Sequence, residues 1–171
     1  MGTLDDATSF VIQDIYGGSP QLFSVVFAAN ALGLVVLGQV NGRMVGRIRL
    51  RLLFRVGLIT NCLASLALLV GVAAGLRGMA PVLVPFFCVV ASQGLILPNG
   101  TALVMQSHPE AAGTASALVG FTQFFLGAMG APLVGIGGSR TALPLAIAVV
   151  VAAVAALAVM LLTVRRSGPE L

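Results

Sequence analysis

The stretch from residue 142 to residue 164 reads ALPLAIAVVVAAVAALAVMLLTV and contains no charged residue. A helix needs roughly 20 mostly apolar residues to cross the hydrocarbon core of a bilayer, and this stretch supplies them without interruption. Its polar side chains are limited to a threonine near the end, so nothing in it opposes burial in lipid. The stretch therefore predicts a transmembrane helix.

Further apolar runs precede this stretch. They cover approximately residues 21–42, 53–75, 80–104 and 111–136, and short polar turns separate them. Hydrophobic residues make up 58% of the chain and charged residues 8%, which excludes a water-soluble domain because such a domain needs a polar surface. The sequence predicts an all-α fold, a polytopic membrane helix bundle with about five transmembrane helices.

The arginines are distributed unevenly. Five of the nine basic residues lie between Arg43 and Arg55, and the chain has no lysine. Cytoplasmic loops retain arginine, so the segment between the first two apolar runs and the C-terminus are predicted to be cytoplasmic. The chain is predicted to be a multi-pass protein of the cell (inner) membrane. The predicted regions are an acidic extracytoplasmic start at 1–20, a transmembrane bundle at 21–164 and a cytoplasmic tail at 165–171. This placement accounts for the net charge of +4 without a nucleic-acid partner.

Ionisable side chains are absent from the core of every apolar run, so the usual marker of a proton relay is missing. The chain also lacks paired carboxylates, a nucleophile motif and a metal-ligating cluster, so we predict neither an enzyme nor a cofactor. Cys62 and Cys88 lie in different apolar runs and are predicted to be packing residues.

Neutral polar side chains mark the runs that face a wet cavity or a neighbouring helix. In the first run, aromatic side chains flank Asn30 on one stripe at helical spacing, an arrangement that suits an amphipathic ligand. The substrate-cavity candidates are Phe23, Phe27, Asn30, Ser92, Gln93, Asn99 and Gln123. Amides in membrane helices more often join helices to each other, so that alternative stays open. The last run has almost no polar group and is predicted to be peripheral.

Small residues recur at four-residue spacing, which allows helices to approach closely. The members are Ala67, Gly71 and Gly75 in the second run and Gly127, Ala131 and Gly135 in the fourth. Pro132 lies inside the fourth-run set and Pro98 inside the third run. A helix with small residues and an internal proline can bend and slide, as moving transporter helices must. Pro98 is predicted to break the third span in the same manner, with a kink that frees backbone carbonyls.

Several strings resemble one family of membrane transporters. They are SFVIQDIYGGSPQLF at 9–23, FAANALG at 27–33, NGR at 41–43, LLFRVGL at 52–58, PNGTA at 98–102 and PEAAGTASAL at 109–118. Nearly the whole chain from Ser9 onward is similar to the Bcr/CflA drug-resistance transporters of the major facilitator superfamily. The resemblance implies the eighth to twelfth helices of a twelve-helix proton-coupled exporter, with the tail of the seventh helix within residues 1–20, and hence a partial C-terminal half of that fold.

The same resemblance implies two sets of residues for packing and conformational change. A cytoplasmic loop of the Gly-x-x-x-Asp-Arg type corresponds to Gly38, Asn41, Arg43, Gly46 and Arg47, without its acidic member. A Gly-Pro antiporter motif is echoed by Gly127, Ala131, Pro132 and Gly135, with alanine in place of one glycine.

The predicted function is the C-terminal portion of a proton-coupled multidrug efflux antiporter that is incomplete and inactive alone. The resemblance implies that the coupling carboxylate lies in a half that this sequence lacks. Expected partners are the lipid bilayer, amphipathic small-molecule drugs, and either a missing N-terminal half or further copies of the chain. The alternative, from a different class, is a small membrane-embedded interaction or assembly protein whose small-residue ridges bind other helices.

Overall fold

The computed structural model describes residues 20–75, 79–107, 110, 113–114, 116–125 and 143–166. The helices in these ranges are α1 (Pro20–Met44), α2 (Leu50–Ala73), α3 (Ala80–Ser107), α4 (Ser116–Phe125) and α5 (Leu143–Arg166). The described part of the chain is a bundle of helices, which confirms the predicted all-α membrane fold.

Four of these helices are long and apolar enough to cross a membrane. The spanning segments are Ser24–Met44, Leu50–Ala73, Ala80–Gln106 and Leu143–Leu162. α4 is a shorter apolar helix within the fourth predicted run. The rest of that run, including its Gly-Pro motif, lies outside the described residues, as do residues 1–19 and 167–171.

A short turn at residues 45–49 joins α1 to α2. Gly46 has a φ of +88°, a left-handed conformation that glycine adopts without the steric cost of a side chain. The N–H groups of Arg47 and Ile48 both donate to the carbonyl oxygen of Met44 at 3.0 Å. The turn thus satisfies an acceptor at the end of α1 and lets α2 return across the membrane.

α3 is the central helix of the described bundle. It packs against both α1 and α2, whereas α5 packs against α2. A buried apolar cluster joins α2, α3 and α5 and consists of Leu68, Val82, Phe86, Leu145 and Ala146. The remaining length of α5 is mostly exposed, including Val151 and Leu162. The spanning segments of α1 and α5 are equally buried, at 17% each, so the peripheral position of the last span stays a prediction.

Large apolar side chains cover the outside of the helices. Leu63, Val70 and Val84 are each exposed over 60% or more of their surface. In water such a surface would cost free energy, but lipid chains are as apolar as these side chains. The outer surface therefore fits a bilayer as its solvent.

α1 and α3 approach each other closely at Gly94. A Cβ atom at this position would lie 2.6 Å from the carbonyl oxygen of Leu34 and 2.8 Å from the backbone nitrogen of Gly38. Both neighbours are backbone atoms, which cannot turn away as a flexible side chain can. Gly94 therefore sets the separation of α1 and α3.

α3 continues as one helix through both Pro85 and Pro98, so Pro98 does not end the span, and the kink expected there stays a prediction. Proline has no N–H, so each of them leaves the carbonyl four residues earlier without its usual intrahelical donor. Both of those earlier residues lie against a neighbouring helix. Pro81 carries the carbonyl that meets Gly71 of α2, where a Cβ would lie 2.6 Å from the oxygen. The irregular backbone is thus covered by protein, as a membrane interior requires.

Of the small residues predicted to allow close packing in the second span, Ala67, Gly71 and Gly75, only Gly71 makes a close contact with another helix among the described residues. Gly71 is buried, whereas Ala67 is exposed. Gly75 lies beyond the end of α2 and has a φ of +58°, so it ends the helix and does not pack along it. The ridge prediction failed here because spacing alone does not show where a helix stops.

The contact at Gly94 leads to a stability prediction. Replacement Gly94→Ala should lower the free energy of unfolding by about 1–3 kcal/mol, because the new methyl group overpacks a backbone contact. The matched control is Gly38→Ala, since no described atom lies within 4 Å of a Cβ at that position. In a helix interior the control should be neutral or stabilising by up to about 1 kcal/mol. Both variants would be unfolded with SDS in mixed micelles, and equal stabilities would contradict the close contact.

Candidate functional site

Buried polar side chains gather on the contacts that α3 makes and on the inner face of α1. They are Asn30, Asn41, Asn61, Ser65, Ser92 and Asn99, each no more than 7% exposed. A polar group in a membrane interior needs a hydrogen-bond partner within the protein, because lipid offers none. The partners of these side chains therefore show which contacts they hold together.

A hydrogen-bonded group joins the middle of α2 to the middle of α3. The side-chain amide of Asn61 donates to Oγ of Ser92 at 2.9 Å and to the carbonyl oxygen of Val89 at 3.2 Å. Ser92 donates in turn to the carbonyl of Val89 at 2.7 Å, and Ser65 donates to the carbonyl of Asn61 at 2.7 Å. This group ties α2 to α3 at the depth of the bilayer centre.

A second amide contact joins the end of α1 to α3. Nδ2 of Asn99 donates to Oδ1 of Asn41 at 2.6 Å and to the carbonyl oxygen of Leu95 at 2.7 Å. Oδ1 of Asn99 is buried and has no partner among the described residues. An unpaired buried acceptor costs free energy. We therefore expect the α1–α3 contact to rearrange more easily than the α2–α3 contact.

The structure separates the substrate-cavity residues predicted from the sequence. Ser92 bonds to α2 and Asn99 bonds to α1, so these two hold different interfaces. Both have the helix-joining role that was the open alternative. Gln93 of α3 is partly buried, and Gln123 of α4 is exposed.

Two of the predicted residues, Asn30 and Phe27, lie on the same helix, α1. Asn30 is 7% exposed and Phe27 is 40% exposed, and they lie three residues apart on the same face. Phe23 belongs to the same helix, but its side chain lies outside the described residues. The stripe predicted in α1 therefore presents a buried amide beside a partly open aromatic ring.

The loop motif residues fall into two groups. Asn41 points inward to Asn99 and is 3% exposed, while Arg43 and Arg47 are exposed. Gly46 makes the turn. The structure thus brings the loop motif and the third span together through one amide contact, which the sequence patterns did not pair. The second predicted motif, Gly127, Ala131, Pro132 and Gly135, lies outside the described residues.

Asn61 is a polar residue of the second apolar run, and the sequence patterns assign it no partner. Ser65 lies one turn further along the same face, and this i, i+4 polar pair in an apolar run was the available signal. Within the described residues, no group of three or more His, Cys, Asp and Glu is placed to hold a metal ion. Cys62 is buried and Cys88 is partly buried, on different helices.

The two amide contacts lead to a prediction about coupling between side chains. In double-mutant cycles of alanine variants, the pair Asn61 and Ser92 should couple by about 0.5–1.5 kcal/mol, the range of interhelical hydrogen bonds in membranes. The pair Asn41 and Asn99 should couple similarly. The cross pair Asn61 and Asn99 is the matched control and should be additive, since no hydrogen bond joins these side chains. SDS unfolding measures all three cycles, and coupling in the cross pair would show one undivided network instead.

Comparison with known proteins places the chain among transporters. No family model matches it, and no solved structure matches it. An uncharacterized MFS-type transporter, YdgK, of Bacillus subtilis is 37% identical over 163 residues, which covers 94% of this chain and 40% of the relative. A bicyclomycin resistance protein homolog of Haemophilus influenzae is 27% identical over 139 residues, covering 81% of this chain and 35% of the relative.

The chain spans about two-fifths or less of the length of these curated relatives. The matched region nevertheless includes almost all of the chain, so the relationship rests on the whole helix bundle and not on one motif. The family names of the relatives agree with the resemblance carried by the sequence strings. The chain therefore belongs to the transporters of the major facilitator superfamily.

Proposed function

We propose that this chain forms the C-terminal portion of a proton-coupled multidrug efflux antiporter. The observation that carries the proposal is the similarity of 81% of the chain to a protein named for bicyclomycin resistance. The spans described here support it, since they combine lipid-facing apolar surfaces with buried amides at helix contacts. On this proposal, amphipathic drugs are the transported substrates.

Within that assembly, we assign the substrate-facing role in α1 to Asn30 and Phe27. An aromatic ring supplies apolar contact and a neighbouring amide supplies orientation, which is the usual composition of a site for organic ligands. Asn30 lies near the middle of α1, the depth at which transporters of this architecture bind their substrates. By contrast, α5 faces lipid and is not assigned to the pathway.

Proton coupling must use a group that this chain does not place in its spans. The apolar runs contain no Asp, Glu or His, and a proton is coupled only through a group that titrates. Alternating access also requires two halves that rock about a central site. We therefore propose that the titratable group and the second half come from elsewhere in the working transporter.

We further propose that the loop at residues 45–49 and the tail at 165–171 face the cytoplasm of the inner membrane, with the acidic start at 1–20 outside. The unequal arginine distribution supports this orientation. A single cysteine introduced at position 46, after Cys62 and Cys88 are replaced, should react with a membrane-permeant thiol reagent but not with an impermeant one. Labelling by the impermeant reagent in intact cells would show that position 46 lies outside, so that the chain has the opposite orientation.

The function is tested by drug susceptibility and dye efflux in a host that lacks its own efflux pumps. Expressed by itself, the 171-residue chain should reach the membrane but produce no uncoupler-sensitive efflux. Co-expression with the N-terminal half of a related full-length transporter should restore measurable efflux. Uncoupler-sensitive efflux from the chain alone would contradict the proposal that the titratable group and the second half come from elsewhere in the working transporter.

The assignment of Asn30 gives a prediction about selectivity. In the co-expressed transporter, Asn30→Ala should change the relative resistance to two drugs of different polarity by about twofold to tenfold, the effect of losing one hydrogen bond. The amount of protein in the membrane should stay the same. The matched control is Ala152→Leu, on an exposed part of α5. Equal effects of both substitutions would indicate general packing damage and not a substrate contact.

A further inference from the structure

The turn between α1 and α2 carries a concentration of positive charge, here called the basic patch. Its members are Arg43, Arg47, Arg49, Arg51 and Arg55. All except Arg55 are exposed, and Arg55 is partly buried. The patch therefore presents at least four guanidinium groups to the surroundings within one short segment.

Nothing nearby in the sequence neutralises the basic patch. No Asp or Glu occurs between residues 15 and 109, so the segment and its adjoining spans carry no negative side chain. α2 has no acidic residue in its first turn, and the side chain of Arg49 makes no capping hydrogen bond at its start. Several guanidinium groups thus lie beside the N-terminus of α2, which is the positive end of its helix dipole. This arrangement is electrostatically unfavourable, and a bound anion would lower its free energy.

The patch lies at the membrane surface on either orientation of the chain. One spanning segment ends at Met44 and the next begins at Leu50, so the arginines between and beside them lie at headgroup depth. A phospholipid phosphate occupies the same depth. Planar guanidinium groups bind phosphate oxygens through paired, charge-assisted hydrogen bonds.

An exposed apolar stripe leads from the patch along α2. It consists of Leu52, Val56, Ile59, Leu63, Leu66 and Val70, each more than 40% exposed. Their spacing of three or four residues places them on one face of the helix. A ligand that uses both the patch and the stripe must have an anionic head and long apolar chains.

We propose that the basic patch and the α2 stripe together form a binding site for an anionic phospholipid. The headgroup phosphate lies among the arginines, and the acyl chains lie along the half of the stripe nearest to them, from Leu52 to Leu63, because one leaflet is only about half of the roughly 30 Å hydrocarbon core. Val70, at the far end of the stripe, lies in the opposite leaflet and outside the site. A soluble phosphate or an acidic protein segment would use the arginines but leave the stripe without a role. The patch shares Arg43 and Arg47 with the loop motif, but lipid binding requires only the charges and the stripe and does not depend on the proposed function.

The chain contains no tryptophan, so the fluorescence of a single introduced tryptophan reports on that position alone. Val45→Trp places one indole at an exposed position within the turn, and Val70→Trp places one at the opposite end of the stripe as the matched control. Each full-length variant would be reconstituted in phosphatidylcholine vesicles containing either brominated phosphatidylglycerol or brominated phosphatidylcholine. Fluorescence quenching then reports which lipid lies beside the indole.

At position 45 the relative association constant should favour phosphatidylglycerol by at least about fivefold, the contribution of a single arginine near a membrane surface. The control at position 70 should show no preference. Molar salt should weaken the preference at position 45 because it screens exposed charges. Equal quenching by both lipids at position 45 would overturn the proposal.

Substitution of the arginines tests whether the basic patch causes the preference for phosphatidylglycerol. Replacing Arg47, Arg49 and Arg51 together by Gln should bring the preference to within about twofold of unity, and replacing them by Lys should retain most of it. The single variant Arg47→Gln, in the turn and outside both helices, should show a partial loss even if the triple variant does not fold. A preference that survives both Gln variants would remove the patch from the site.

The source of the phosphate is tested separately. Glycerol phosphate added at millimolar concentration should leave the preference unchanged, because it lacks the chains that contact the stripe. If it abolishes the preference, the patch is a site for soluble phosphate esters and the lipid proposal is wrong.

Discussion

Lipid provides no hydrogen-bond partners, and the rest of the structure follows from this constraint. Each backbone N–H and carbonyl in the membrane must be satisfied within the protein, so the apolar runs form helices. The same constraint forces polar side chains such as Asn61 and Ser92 to pair across helix contacts. Apolar side chains are free to point outward, and Leu63 and Val151 do so.

α3 contains two internal prolines and packs against both α1 and α2. Pro85 and Pro98 each remove a hydrogen bond from its interior, yet the helix remains continuous. The carbonyl of Pro81 is covered by the backbone of Gly71, and the backbone at Gly94 is covered by α1. A proline in a membrane helix is thus accommodated when a glycine brings protein over the disturbed segment. The segments of α3 that lose a backbone hydrogen bond to proline are therefore also segments where a neighbouring helix packs closely.

The two interfaces of α3 differ in a way that bears on movement. The α2–α3 contact is hydrogen-bonded at its centre, and a buried apolar cluster with α5 reinforces it. The α1–α3 contact combines the close backbone approach at Gly94 with one amide pair near the loop, and Oδ1 of Asn99 has no partner there among the described residues. A transporter must hold some helices as a rigid unit while others shift. The physical contrast favours α2, α3 and α5 as the rigid unit, with α1 as the helix that shifts.

The sequence by itself determined the fold class, the approximate limits of the four described spans and the family. These features depend on the length of apolar runs, on their polar content and on residue strings, all of which are local properties. It could not determine that Asn41 meets Asn99, that Gly94 sets a helix separation, or that α3 passes through Pro98 unbroken. These features depend on which faces of different helices meet. A one-residue change in helix phase rotates a side chain by about 100°, so only the packed bundle decides them.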